Sequence, residues 1–408
     1  MLTDIAIVGA GHAGTRAAAL LRQKGFQGSI ALITDEAEQP YERPPLSKEY
    51  LAGEKSFDRL LFHPPAFWAE RDIKLMTGAL VTNVDALAHE LWLMDGRTLN
   101  YGTLIWAAGG RPRRLACEGA SAEGVHTIRN RADVDAVRCR LNKVSNVVVI
   151  GGGYIGLEVA AVLTTLGKKV TLLEALDRVL SRVAGEPLSR FFEAEHRRQG
   201  VDLRTNVQVA SIETAGGRVV GVHTIDGSRI ACEMVIVGTG IEPSVEALLA
   251  AGARGSNGID VDEYCRTSLA DVFAAGDCAA HENAFAGGRR VRLESVQNAS
   301  DQAAAAVSAI MGDPQPYHAT PWFWSNQYDL RLQTVGLSTD YESVIVRGDP
   351  ASRSFSVIYV RSGNVVALDC VNATGDYVQG RKLVEAKVAA DQAAIERTEI
   401  PLKSLMAE

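Results

Sequence analysis

The sequence predicts an α/β protein of two Rossmann-type units followed by a smaller α+β domain. Three observations carry the prediction: two matching glycine-rich patterns, and a change to strand-rich sequence after the prolines Pro314 and Pro316. Gly9-x-Gly11-x-x-Gly14 and Gly151-x-Gly153-x-x-Gly156 each follow an apolar run, Ile5 to Val8 and Val147 to Ile150, and each leads into a helical pattern. Strand, glycine turn and helix in that order form a seat for a dinucleotide pyrophosphate. The first glycine allows the tight turn, the second lets the backbone approach the phosphates, and the third lets helix and strand pack closely. The phosphates then rest on the amides and dipole of the helix N-terminus. One chain is thus expected to hold two dinucleotides.

In the first unit, strand and helix run from Asp4 through Ala13 to Leu21. A second strand, Ser29 to Thr34, ends at Asp35, 21 residues past Gly14, where an acid accepts the ribose hydroxyls of an adenosine. The second unit repeats the design with a helix from Tyr154 to Leu166, Gly167 closing it, and a strand from Lys169 to Leu173 ending at Glu174. A carboxylate there accepts the 2′ and 3′ hydroxyls and repels a 2′-phosphate, so NADH is expected over NADPH. Thr103 to Gly109 and Met234 to Gly240 are alike, each an apolar strand ending in glycine, and hint at an internal duplication. A further apolar strand runs from Val272 into the turn Gly276-Asp277, expected to return to the first cofactor. The expected division is 1–112 with 242–318, then 113–241, then 319–408. The last domain has strands at Gln333–Leu337, Ser343–Val346, Phe355–Val360 and Val365–Val371 and a helix from Gln379 to Ala390.

The chain of 408 residues is 47% hydrophobic with a net charge of −7, the profile of an ordinary globular protein and a poor one for binding nucleic acid. No run approaches the roughly 20 apolar residues of a bilayer helix, and the first strand begins within a few residues of Met1, so a cytoplasmic protein is expected. The six cysteines, Cys117, Cys139, Cys232, Cys265, Cys278 and Cys370, show neither CxxC nor zinc spacing. A redox-active thiol pair and a metal site are therefore not expected.

With Tyr41-Glu42-Arg43-Pro44-Pro45-Leu46-Ser47-Lys48, Gly276-Asp277 and Trp322-Phe323-Trp324 added to the two fingerprints, the chain resembles the FAD-dependent NADH:ferredoxin reductases. These serve bacterial cytochrome P450 and ring-hydroxylating dioxygenase systems. The resemblance covers essentially the whole chain and implies a glutathione-reductase-type fold with FAD in the first unit and NADH in the second. It implies that Gly9, Gly11, His12, Ala13 and Gly14 hold the FAD pyrophosphate, with Ala107 beside them, Asp35 at the ribose, and Gly276 and Asp277 at the ribityl hydroxyls. Arg43 and Lys48 would line the flavin, Val81 and Arg129 the adenine side, and Val296 and Trp324 the ring. On the NADH side it implies Gly151, Gly153, Ile155 and Gly156 at the pyrophosphate, Glu174 at the ribose, Arg182 along the dinucleotide, and Gly238 and Gly240 at the nicotinamide end. Glu158, expected on the first helical turn, would pair with Lys48, and these two are the candidate catalytic groups.

Hydride transfer needs no side-chain nucleophile or metal; it needs two rings held in contact with their electronics tuned. The implied reaction carries a hydride from NADH to FAD and then single electrons to a [2Fe–2S] ferredoxin. An acidic ferredoxin would dock on basic side chains, with Arg289, Arg290, Arg292, Arg331, Arg347, Arg381 and Lys382 as candidates. Three alternatives stay open: a rubredoxin acceptor, a slow NADH-sensing flavoprotein like apoptosis-inducing factors, and an NADH oxidase or peroxidase. The last usually carries a cysteine at the flavin face, and Tyr41 to Leu51 contains none.

Overall fold

The computed structural model describes residues 2–406, which group into two compact units. The first comprises 1–43, 57–111 and 242–321; the second comprises 44–56, 112–241 and 322–408.

In the first unit the apolar runs form a sheet in the order β3 (Ile73–Met76), β2 (Ile30–Ile33), β1 (Leu2–Val8), β6 (Thr98–Trp106), β5 (Glu90–Leu93), β4 (Val81–Asp85). The pairs from β3 to β6 are parallel, and β6 runs on into an antiparallel meander with β5 and β4. Strands buried on both faces read as continuous branched runs. Alternate residues of β1 accordingly serve two cores: Ile5 and Ile7 meet Ala17 and Leu21 of the helix α1 (His12–Gln23), and Ala6 and Val8 pack with Leu91 and Leu93. The strand Val272–Ala274 pairs in parallel with Leu104–Trp106 of β6 and delivers Gly276 to α1.

In the second unit five parallel strands run in the order Asp202–Arg204, Lys169–Leu173, Asn146–Ile150, Met234–Val237, Val125–His126. The helix α2 (Tyr154–Thr165) follows Ile150 and buries Leu157, Val159, Ala160 and Leu163; α3 (Glu186–Arg198) leads to the edge strand. Gly167 adopts φ +76 two residues past the end of α2, where a left-handed conformation satisfies the last carbonyls and a side chain would be strained.

The C-terminal segment is a five-stranded antiparallel sheet, Trp322–Gln327, Leu330–Gly336, Asn364–Val371, Ser354–Arg361, Ser343–Asp349, with the helix Thr374–Ala386 beside it. Two expectations need correcting. The aromatic run, left out of the expected strands, is itself the first strand, paired with Leu330–Gly336 and turning Ser325 and Gln327 inward while Trp322, Phe323 and Trp324 are half-buried. The helix starts at Thr374 rather than Gln379, as its first turn carries Asp376 near the positive end of the dipole.

A buried polar post ties this sheet to α3: the Gly185 amide, at the helix N-cap, donates to the Tyr359 hydroxyl at 2.9 Å, and Tyr359 donates to Asp369. Burial pushes the Asp369 carboxyl up to about 7. The raised value means that the folded state holds this proton more tightly than the unfolded chain does. The associated stability is complete below the unfolded value near 4 and is lost as pH rises through 7. Asp369→Asn, neutral at every pH and still an acceptor for Tyr359, should shrink the drop in Tm between pH 5 and pH 8; thermal unfolding at the two pH values checks this.

Candidate dinucleotide sites and the Lys48–Glu158 centre

The two glycine loops have closely matching geometry. Gly9 (φ +105) donates to the Ile33 carbonyl at 2.7 Å, and Gly151 (φ +107) donates to the Leu173 carbonyl at 2.8 Å. A Cβ on Gly9 would lie 2.2 Å from the Ala107 oxygen, and one on Gly151 would lie 2.5 Å from the Gly238 oxygen. Ala107 and Gly238 thus close matching turns from the ends of β6 and of Met234–Val237. The third glycines pack on the first: a Cβ on Gly14 would meet the Gly9 oxygen at 1.8 Å, and one on Gly156 the Gly151 oxygen at 1.9 Å.

The middle glycines face open space. Nothing comes within 4 Å of a Cβ built on Gly153, and only the Arg43 Nε, at 3.9 Å, approaches one on Gly11. Neither α1 nor α2 has a side-chain N-cap. Leading amides that are open and uncapped fit a pyrophosphate in both loops.

Around the first loop, the His12 ring stands edge-on to Phe62, and Ala13 lies 3.2 Å from where a Gly276 Cβ would be. The Gly276 amide donates to the buried Gln302 Oε1 at 2.8 Å, which fixes the turn that carries Asp277. Val296 opens the helix Val296–Ile310, capped by Ser295, and Val81 is buried at the start of β4. Asp35 is exposed beyond β2. Sequence reasoning passed over its neighbour Glu36, which accepts from both Arg43 and the Tyr41 hydroxyl. Burial opposes the Arg43 charge, but Glu36 and then Tyr41 outweigh it, and the guanidinium pKa is raised. Glu36 therefore orients Arg43.

In the second loop the Glu174 carboxylate accepts from the amides of Gly152 at 2.6 Å and Leu176 at 2.8 Å, so the acid that ends the strand also fixes the glycine turn. Ile155 is exposed on the first turn of α2, Gly240 is open at φ +94, and Arg182 is exposed. Arg129 lies in the second unit, where its amide donates to Asp133. Trp324 stacks obliquely with Trp322, their centroids 5.6 Å apart, on the face of its strand opposite Ser325.

The structure brings Lys48 and Glu158 together: Nζ donates to Glu158 Oε2 at 2.6 Å and to the Pro44 carbonyl at 3.1 Å. The double proline fixes the short 3₁₀ turn Pro44–Ser47 that presents the lysine. Glu158 is the fifth residue of α2, one step past the first turn where the sequence reading put it, and it is 1% exposed, buried among donors. Ser47 donates to Oε2 at 2.5 Å and Ser325 to Oε1 at 2.6 Å, two partners that sequence reasoning missed. A carboxylate removed from water survives only when its lone pairs are satisfied, and here three donors meet it. The Tyr154 ring lies 4.5 Å from that of Phe323, and burial followed by the charges of Asp369 and Glu158 keeps its hydroxyl protonated.

Two docking candidates are corrected. Arg347, 4% exposed, pairs with Asp376 and donates to the carbonyls of Ile395, Arg397, Thr398 and Ile400, so it anchors the C-terminal segment instead of facing a partner. Arg292, 8% exposed, binds the Asp277 carbonyl and Glu294. Arg290 is exposed and paired with Asp260, and Arg381 with Glu385; Arg289, Arg331 and Lys382 are exposed.

The chain matches the pyridine nucleotide-disulphide oxidoreductase family over residues 3–303 and the reductase C-terminal family over residues 322–406. It is 58% identical over 405 residues to the ferredoxin reductase subunit of 5,5′-dehydrodivanillate O-demethylase from a Sphingobium species, covering 99% of this chain and 98% of that one. Putidaredoxin reductase of Pseudomonas putida is 39% identical, with 99% of this chain and 97% of that one covered. The solved covalent putidaredoxin reductase–putidaredoxin complex superposes with a TM-score of 0.95 at 38% identity, covering 99% of this chain and 98% of that one. The chain belongs to the FAD-dependent ferredoxin reductases. FAD and NAD(P)H are the cofactors of this reductase, and its fold is the two-dinucleotide α/β architecture with the added C-terminal α+β domain.

The described residues form no disulfide, and four of the six cysteines, Cys232, Cys265, Cys278 and Cys370, are buried. All six cysteines are free, and burial raises the thiol of Cys278 to about 11 and those of Cys232 and Cys370 to about 12. Thiols so far above neutral pH stay protonated and poorly nucleophilic. No helix among the described residues is long and apolar enough to cross a membrane.

Proposed function

We propose that this reductase takes electrons from NADH and hands them singly to a [2Fe–2S] ferredoxin that supplies a cytochrome P450 or ring-hydroxylating oxygenase in the cytoplasm. The main support is full-length likeness to ferredoxin reductases, one of them named as the reductase component of a p-cumate 2,3-dioxygenase system. When bound, FAD accepts a hydride and gives it up as single electrons and a proton. Residues 1–112 with 242–318 are read as the FAD-binding domain, 113–241 as the NADH-binding domain, and 319–408 as the C-terminal α+β domain.

The roles of the chain's own residues follow from their chemistry. Gly9, Gly11, His12, Ala13 and Gly14 seat one pyrophosphate on the N-terminus of α1, with Ala107 beneath the turn, and Gly151, Gly153, Ile155 and Gly156 seat the other on α2. Asp35 and Asp277 accept sugar and ribityl hydroxyls. Arg43, held by Glu36, contributes positive charge on the FAD side, while Val81, Arg129, Val296 and Trp324 contribute shape. Gly238 and Gly240 leave room for the nicotinamide end, and Arg182 borders the dinucleotide. Lys48, its charge held by Glu158, provides the cation that favours electron-rich flavin.

Anaerobic stopped-flow spectroscopy tests the proposal. The yellow protein is reduced with NADH and mixed with an oxidised [2Fe–2S] ferredoxin, and both chromophores are followed. Fast bleaching followed by fast cluster reduction is expected. Transfer to a rubredoxin but not to the ferredoxin would reassign the acceptor, and slow bleaching would favour an NADH sensor. Glu174→Arg should raise the NADH half-saturation at least tenfold and shift preference toward NADPH, because it inverts the charge facing the 2′ position and strips two backbone amides of their acceptor. Steady-state kinetics with both nucleotides checks this, and unchanged preference would remove Glu174 from the ribose.

A further inference from the structure

Behind Glu158 runs a buried line of hydrogen bonds built from two distant parts of the second unit. The Tyr328 hydroxyl lies 3.2 Å from His196 Nδ1, and His196 Nε2 lies 2.9 Å from Gln327 Oε1. Gln327 Nε2 then lies 3.2 Å from Ser325 Oγ, which is 2.6 Å from Glu158 Oε1. His196, Gln327 and Ser325 are each at most 2% exposed.

The direction of every bond in this line is fixed by chemistry. A carboxylate oxygen can only accept, so the Ser325 proton points to Glu158, and Ser325 must then accept from the Gln327 amide nitrogen. That orientation presents the amide oxygen to His196, which fixes Nε2 as the protonated nitrogen and Nδ1 as the acceptor for Tyr328. Burial, against smaller opposing effects of Gln327 and Glu195, lowers the His196 pKa to about 4, which keeps the ring in this neutral tautomer. Four donors thus point the same way and end on a single carboxylate oxygen, and hydrogen bonds aligned in a low-dielectric interior polarise one another. The other oxygen, Oε2, takes Ser47 and Lys48. The terminal carboxylate torsion is soft, so the hold on Oε1 decides where Oε2 stands.

We propose that His196, Gln327 and Ser325 are positioning residues that lock the Glu158 carboxylate so that Oε2 holds Lys48 in place for reduction of the flavin by NADH. The proposal rests on the reading of Lys48 as the flavin-side cation. Breaking the line should leave Lys48 present but badly placed. The limiting rate of flavin reduction would then fall while NADH binding, which uses the α2 loop, would not.

The test uses FAD-loaded wild type, Ser325→Ala, His196→Leu, His196→Gln and Lys48→Met. It measures Tm, the flavin-to-protein ratio, the midpoint potential of the bound flavin, and the rate and half-saturation of reduction by NADH. Ser325→Ala and His196→Leu should each cut the limiting rate about tenfold with half-saturation within about twofold. Both should lower the midpoint potential, since a carboxylate stripped of aligned donors keeps more of its negative charge beside Lys48. His196→Gln, whose amide nitrogen can replace Nε2 as donor to Gln327, should recover most of the rate and the potential. Equal defects in His196→Gln and His196→Leu, or wild-type rate and potential in Ser325→Ala, would overturn the proposal. Should His196→Leu fail to fold, Ser325→Ala carries the test alone. A wild-type rate in Lys48→Met would instead defeat the reading of Lys48, which separates the two failures.

Discussion

Gly14→Ala should leave the protein without FAD, whereas Gly156→Ala should keep its FAD and lose NADH. The new methyl carbons would lie 1.8 Å from the Gly9 oxygen and 1.9 Å from the Gly151 oxygen, less than any real carbon–oxygen contact allows. Backbone blocks both, so no side-chain rotation relieves them, and the turn or the helix start has to move. Overpacking of this kind costs at least 1–3 kcal/mol, and the moved amides are the ones proposed to meet phosphate. The loss should fall on binding more than on the fold, because each clash is confined to one loop of one unit. The flavin-to-protein absorbance ratio after gel filtration, with NADH titrations of the flavin-loaded variant, checks both halves. We expect Gly14→Ala to emerge colourless and Gly156→Ala to emerge yellow with NADH half-saturation raised at least a hundredfold. A yellow Gly14→Ala protein would separate the first loop from FAD.

The pairing of two variants in one experiment is possible because the duplication was legible before any coordinates. An apolar run followed by glycines at fixed spacing is a local signal, and β1, Asn146–Ile150, α1, α2 and Lys169–Leu173 all stand where that signal put them. Motifs whose meaning depends on distant sequence were harder. Ser325 lies 167 residues from Glu158, and His196 lies 131 from Gln327, so nothing local marks either pair. Arg347 was readable in part: it shares strand parity with buried Ile345, and a strand period of two predicts that it points inward. The expected strand stops at Val346, one residue short of Arg347, whereas the observed strand runs to Asp349. Glu36 was missed because the ribose argument asks for a single acid near the strand end, and Asp35 satisfied it. Glu158 was placed on the correct helix and paired with the correct lysine, but through resemblance; residue spacing alone offered an exposed acid at a helix start.

The Lys48–Glu158 pair yields the second large effect, because stability and chemistry pull apart there. Glu158→Leu leaves a lysine 11% exposed and two serine hydroxyls with no acceptor at that point. Breaking a buried pair from one side costs roughly 3–5 kcal/mol, and Tm should fall by several degrees. Lys48→Met should cost less, since Ser47 and Ser325 still donate to the carboxylate. The double variant Lys48→Met/Glu158→Leu removes both charges at once. Replacing a buried ion pair by apolar groups of similar size is often neutral or better, so the part of the lost Tm that comes from the stranded lysine should return, while the two serine hydroxyls stay without their acceptor. Reduction by NADH should not return with it, because no cation then remains at the position proposed to favour electron-rich flavin. A double variant with both Tm and reduction rate restored would make the pair a strut. Restored Tm with the rate still at least tenfold below wild type would mean that the chain keeps a buried charge for its chemistry, since its fold is served as well without it.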